Sequence, residues 1–248
     1  MFSVEFLDKL REAELEAVLP DLRPGSRLLE FGAGTGVQAR KLAGLGFDVT
    51  AIDMPSSGYA QSRCFPVIDY DGRHIPLADQ STDVIFSSNV LEHVEDFPQI
   101  AREFRRITAP GGYGVHLMPS TSWRAWTLLA GPPNTAVALA ASLKHLVSPP
   151  QGRSRKAAVA ADLKTAAVGV LPLGHGTAGE AFSELYTFST HAWRRRFRDN
   201  GFEVAEVRPV GIFHTGHQLF GAGISVEGRQ RLAKTLGSAA TIFVVRPA

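Results

Sequence analysis

The amino-acid sequence predicts an α/β fold built on a doubly wound, mostly parallel sheet. Two observations point to it. Residues 28–36 (Leu28-Leu29-Glu30-Phe31-Gly32-Ala33-Gly34-Thr35-Gly36) run from a short apolar strand into a glycine turn, and an amphipathic helix over residues 37–45 follows. Short apolar runs then alternate with helical segments over about 120 residues, the pattern of a parallel sheet with ligands at the carboxyl ends of its strands. A third observation sets the boundaries. The alternation weakens after Met118 and returns after Phe188. Residues 1–248 are therefore read as one domain, with residues 120–188 as an inserted cap over the active-site edge.

The elements follow in order. Ser3 can cap a first helix whose Leu7, Leu10, Leu15 and Val18 keep helical spacing and which ends before Pro20. Residues 27–31 form the first strand, 37–45 the first crossover helix and 47–52 the second strand, closed by Asp53. Residues 55–63 read as loop, 65–70 as a third strand and 83–88 as a fourth. Asp96 and Pro98 open a helix with Ile100, Phe104 and Ile107 on one face. Pro110-Gly111-Gly112 is expected to turn the chain into a fifth strand, 113–118, in which His116 is read as a core residue. In the insertion, two helical pieces (123–130 and 135–147) are expected on either side of Gly131-Pro132-Pro133-Asn134. A basic loop (Arg153, Arg155, Lys156) and a glycine-rich segment, 174–179, come next. A helix over 189–200 and strands at 202–208 and 240–246 complete the chain.

Composition narrows the classes. Of 248 residues, 44% are apolar and 20% charged, which is globular and argues against general disorder. The formal net charge of +2 does not by itself call for nucleic acid. The single cysteine, Cys64, excludes an internal disulfide and a thiolate metal site, and is read as a small buried hydrophobe. Residues 1–19 are acidic and amphipathic, without the features of a signal peptide, so a cytoplasmic location is expected.

Glycines at alternate positions let a ligand approach the main chain, and the helix start beyond them offers unpaired N–H groups. A dinucleotide fingerprint needs its third glycine three places after the second; here it comes two after, at Gly36, and Val37 holds the dinucleotide position. Glu30 just before the turn would repel a diphosphate but suits a ligand bearing an ammonium group. Asp53 lies 21 positions after Gly32, where a carboxylate can accept both hydroxyls of a ribose. Met54 could pack on an adenine face, and Asp71-Gly72 could meet its amino group and a ring nitrogen. The fourth strand ends in Ser87-Ser88-Asn89-Val90-Leu91-Glu92-His93-Val94.

Together these motifs resemble the class I S-adenosylmethionine-dependent methyltransferases, in their small-molecule branch, from about residue 28 to 118. The resemblance implies seven strands with a terminal antiparallel hairpin. It implies S-adenosylmethionine as cofactor, held by Glu30, Gly32, Ala33, Gly34, Gly36, Asp53, Met54, Asp71, Gly72 and Asn89. One departure stands out: the second crossover helix, expected after Asp53, is nearly absent. Methyl transfer to a neutral hydroxyl also needs a base, and His93 is the candidate, with a helix-ordering role as the alternative. Trp123, His175, Glu184 and Tyr186 are candidate acceptor-binding residues, and no metal is expected. The acceptor is expected to be a small molecule, sugar or lipid-linked compound, methylated at oxygen; the apolar cap also allows weak contact with a membrane surface. An RNA or protein methyltransferase using the arginines of 194–198 and a non-catalytic cofactor-binding scaffold are the alternatives. Trp193 and Phe197 give that arginine helix a buried face, which argues against nucleic acid.

Overall fold

Alternation along the strands builds the core. Strand β1 (Arg27–Phe31) sends Leu28 to one face of the sheet and Leu29 and Phe31 to the other. Strand β4 (Thr82–Ser88) divides Val84 and Phe86 from Ile85 in the same way. Helix α1 (Val4–Val18) covers the first face with Phe6, Leu10, Leu15 and Val18. Helices α3 (Phe97–Ile107) and α7 (Thr190–Asp199) cover the second with Phe97, Ile100, Phe104, Trp193 and Phe197. A sheet buried on both faces is what parallel strands require.

The computed structural model describes residues 4–152, 154–170, 174–176, 180–216 and 223–248. Seven strands form one sheet in the order β3-β2-β1-β4-β5-β7-β6. Besides β1 and β4 they are β2 (Asp48–Asp53), β3 (Ile68–Asp69), β5 (Thr108–Pro119), β6 (Phe202–Pro209) and β7 (Ala240–Pro247). Strands β1 to β5 pair in parallel, and β7 runs antiparallel to both β5 and β6. The first crossover helix, α2, spans Val37–Gly44. Asp96 caps α3 by accepting from the Gln99 N–H at 3.0 Å, as its position in the sequence predicts.

Five local expectations change. Pro110-Gly111-Gly112 lies inside β5, where the register passes from Thr82↔Thr108 to Val84↔Tyr113. The extra residues bulge out, and Gly111 takes φ +76° there. The third strand shrinks to Ile68–Asp69 at the sheet edge, and Cys64 before it is exposed rather than buried. The two helical pieces are one helix, α4 (Thr121–Val147), running through Pro132 and Pro133. Arg155 and Lys156 begin a helix, α5 (Arg155–Val170), instead of a loop; Arg153 lies outside the described residues. Helix α4 lies along α5 so closely that a Cβ on Gly131 would sit 2.4 Å from the Gly169 carbonyl oxygen. That packing outweighs the hydrogen bonds the prolines cannot make. Helix α6 (Glu184–Thr187) is a single turn, and α8 (Val226–Leu236), which the sequence pattern did not indicate, packs against α1. As expected, residues 55–63 form no crossover helix and hold one 3-10 turn, Ala60–Ser62.

Candidate active site

The strand order reverses direction between β1 and β4, so a crevice opens beyond their carboxyl ends. The turn after β1 forms its first wall. Gly32, Gly34 and Gly36 take φ of +76°, +55° and +75°, closed to most side-chain-bearing residues. The Gly32 and Ala33 N–H groups donate to the Ile52 carbonyl at 2.9 and 3.0 Å, which ties the turn to β2. A Cβ on Gly32 would lie 2.5 Å from the Val90 side chain, so the loops after β1 and β4 touch.

Asp53 closes the second wall. Its Oδ2 accepts from the Gly34 N–H at 2.9 Å and its Oδ1 from the Met54 N–H at 2.8 Å. The Met54 sulfur lies 3.6 Å from where a Cβ on Gly72 would be, so these two candidates share one surface. Asp71 is engaged differently. Its Oδ1 accepts from the backbone N–H groups of His74 at 2.7 Å and Arg73 at 2.8 Å. Those bonds, with the His74 ring, hold its carboxyl at about 2, and the carboxylate builds the turn after β3.

Glu30 points beneath the glycine turn. Helix α2 follows Gly36, which has no side chain to cap it. Glu30 supplies the cap instead, accepting from the Ala39 N–H. The other oxygen, Oε2, is buried and has no hydrogen-bond partner among the described residues. Burial pushes the carboxyl up to about 8.

The loop after β4 brings in the acid–base groups. Asn89 takes a left-handed φ of +55° and donates its N–H to Leu117 O at 2.7 Å, which bends the chain over the crevice. One 3-10 turn, Leu91–His93, buries Leu91 and Glu92 and leaves the His93 ring 43% exposed. Burial pushes His93 below its ordinary value and raises Glu92 to about 8.

Residues far away in sequence complete the cluster. The His175 ring meets that of His93 edge-on at 4.9 Å and that of Trp123 at 4.8 Å. Burial, helped by the charges of His93, Arg124 and Arg11, lowers His175 to about 4. Glu184 holds this segment: its Oε1 accepts from the His175 and Gly176 N–H groups at 2.6 and 2.8 Å, while its Oε2 pairs with Arg124 Nε at 2.9 Å. A Cβ on Gly176 would sit 2.6 Å from Glu92 O, so the segment lies directly on the post-β4 loop. From α1, Glu14 pairs with Arg11 at 2.7 Å and with His214 at 3.2 Å. Burial would raise Glu14, but those two partners outweigh it and hold it at about 2.

Trp123, His175 and Glu184 thus come together beside His93, whereas Tyr186 is exposed on α6. His116 is buried, stacked between Phe104 and Phe197 and bonded to Ser87 Oγ at 2.8 Å. No pattern in the sequence points to Arg11, Glu14 or Arg124 at this place; the Arg11/Glu14 spacing of three marks a helix pair and nothing more. Glu92, His93 and His175 offer ligand atoms within 4.8 Å of one another. His93 Nε2 lies 3.8 Å from Glu92 Oε1, and the charges of Arg11 and Arg124 act on His175 from nearby. Surface clefts of about 380 Å³, beside Arg194 and Val204, and about 240 Å³, beside Tyr113 and Arg246, lie at the opposite edge of the sheet. Register places them there: Val204 pairs with Val245, and Val245 with Gly114 near the start of the paired part of β5.

Comparison with known proteins agrees with this geometry. A family model described as a methyltransferase domain matches residues 4–207. The demethylmenaquinone methyltransferase of Corynebacterium urealyticum is 39% identical over 95 residues, covering 37% of this chain and 41% of the relative. A malonyl-[acyl-carrier protein] O-methyltransferase from Serratia marcescens is 34% identical over 93 residues, 36% of each chain. The matches therefore span less than half the length of these relatives. Among solved structures, an S-adenosylmethionine-dependent methyltransferase from Mesorhizobium loti superposes with a TM-score of 0.55 at 16% identity, covering 94% of this chain and 97% of that one.

Proposed function

Because this chain belongs to the class I S-adenosylmethionine-dependent methyltransferases, we propose that it methylates an oxygen of a small or lipid-linked acceptor held between the post-β4 loop and residues 120–188. The observation that carries this reading is the meeting of His93, His175 and Trp123 just beyond the cofactor edge. The residues present fit the cofactor. A side chain at Gly32 would strike Val90 and one at Gly36 would strike Phe65, so the turn keeps the bare backbone a close-lying ligand needs, and the buried Oε2 of Glu30 is the acceptor an ammonium group would complete. Asp53, at the end of β2, would take ribose hydroxyls. When bound, S-adenosylmethionine supplies a methyl group on a cationic sulfur that departs as a neutral thioether.

The protein's own part is alignment and proton removal. Holding reactants in attack geometry is worth roughly 7–11 kcal/mol. His93, neutral at pH 7 because burial lowers its pKa, accepts the hydroxyl proton as the oxygen–methyl bond forms. Trp123 and His175 wall the acceptor, and Glu184 keeps His175 in place. The names of the two relatives support an acceptor of this kind, the second one at oxygen. An RNA acceptor is less well supported. Arg196 stacks over Phe97 and Trp193 at 4.4 and 4.9 Å, and Arg195 pairs with Asp199, so α7 spends charge on its own fold.

The test is incubation with labelled donor and a panel of quinols, acyl acids, glycolipids and RNA. Label on a small hydroxyl or carboxyl compound, lost in His93→Ala, is expected. Label only on RNA, or none on any acceptor while the donor binds, would overturn the reading.

A further inference from the structure

Helices α4 and α5 form a long antiparallel hairpin that leaves the carboxyl edge of the sheet at Pro119 and packs chiefly on itself. Its packing is inverted for a hairpin in water. The residues turned inward are small: Gly131 meets Gly169, and Ala138, Ser142, Ala158 and Ala166 are buried. The large apolar side chains turn outward. Leu129, Val137, Leu139, Leu143, Leu146 and Val147 of α4 are 45–83% exposed, and Leu163 of α5 is 50% exposed. Leu139, Leu143 and Leu146, at i, i+4 and i+7, share one face. Small residues between helices and large apolar ones outside is the arrangement of helices that meet lipid, and a continuous apolar face of this kind marks an interaction site.

The charge pattern identifies the occupant. Lys144, Arg155, Lys156 and Lys164 are all exposed around this face. Residues 121–170 contain one acidic residue, Asp162, and it is turned to His145 at 2.7 Å between the helices. A second copy would present the same cations to the same face and be repelled. An anionic lipid surface complements both the charge and the leucines. No helix among the described residues is long and apolar enough to cross a membrane, so contact is made from one side.

We propose that the free end of this hairpin docks the protein on an anionic membrane surface, through Leu139, Leu143, Leu146 and Val147 with Lys144 and Lys156 at the lipid headgroups. The surface stands apart from the cofactor crevice, and the inference does not depend on which acceptor is methylated.

Co-sedimentation with vesicles tests it, using phosphatidylcholine alone and phosphatidylcholine mixed with phosphatidylglycerol. Retention on the mixed vesicles only, weakened by salt, is expected. L143D/L146D should abolish it, and K144A or K156A should weaken it about fivefold each. These positions are exposed, so circular dichroism and donor binding should stay as in the wild type. Failure to sediment with the anionic vesicles, or retention unchanged in L143D/L146D, would overturn the proposal. So would a dimer, measured by analytical ultracentrifugation, that this double substitution dissolves in a protein that no vesicle retains. Donor binding is read separately, so a failure here leaves the methyltransferase reading standing.

Discussion

A buried carboxyl with one oxygen lacking a hydrogen-bond partner is costly, and burial answers by keeping it protonated. Glu30, at about 8 against an ordinary 4.5, is such a group. Its folded pKa lies above the unfolded one, so its stabilising contribution is full below pH 4.5 and is lost as pH rises through 8. The free protein should therefore lose stability between pH 5 and 9, and Glu30→Gln should reduce that slope in urea unfolding, with Glu92, raised to the same value, carrying the remainder. An ammonium group brought to Glu30 would reverse the shift. Donor binding at pH 7 should then release close to one proton, read by calorimetry in two buffers of different ionisation enthalpy. His93→Ala should keep donor affinity and lose about 10²–10⁴ in turnover. Because its pKa is lowered, wild-type turnover should be level at neutral pH and fall only on the acid side of 6.5. At this scale the sequence was legible where spacing is local: the glycine turn and Asp53 meet in space as they do in the pattern. The contacts of His93 with His175, and of Glu184 with Arg124, join residues 60 or more apart in the chain. No short-range pattern encodes them.

Elements act through how they hold the site. The turn before α2 needs glycine at Gly36, with φ +75° and Phe65 Cβ 2.8 Å from where a side chain would begin. Gly36→Ala should cost about 1–3 kcal/mol of stability from backbone strain alone, measured by urea unfolding, and should weaken donor binding. Glu184 ties α4 to the segment over His93. Glu184→Gln removes the charge opposite Arg124 at a buried site, a change worth about 3 kcal/mol. It should lower turnover while leaving donor affinity unchanged, since Glu184 does not touch the glycine turn. The same scale shows where pattern reading fails. Proline and glycine at 131–133 are helix breakers by local rules, yet contact with α5 carries the helix through them. The turn expected at residues 110–112 became a bulge because β4 continues to pair on both sides of it. Position 68–69 keeps only two residues of a longer expected strand, being an edge with one neighbour.

Across the whole molecule, one sheet sorts the functions by edge. The carboxyl ends of β1, β2 and β4 carry the glycine turn, Asp53 and His93, and the chain leaves that same edge at Pro119 for residues 120–188. Strand alternation and the helix faces made this topology readable, since each strand's two faces had to be buried. The reach of the α4–α5 hairpin was not readable, because its outward leucines look like core until their surroundings are known. The central claim is that the switch point between β1 and β4 binds S-adenosylmethionine. Titration calorimetry of the pure protein tests it most directly, with S-adenosylmethionine, its demethylated product and a nicotinamide dinucleotide. The first two should bind at one site per chain, Asp53→Ala should weaken both, and the dinucleotide should give no heat of binding. Binding of the dinucleotide, with none of the methyl donor or its product, would contradict the account.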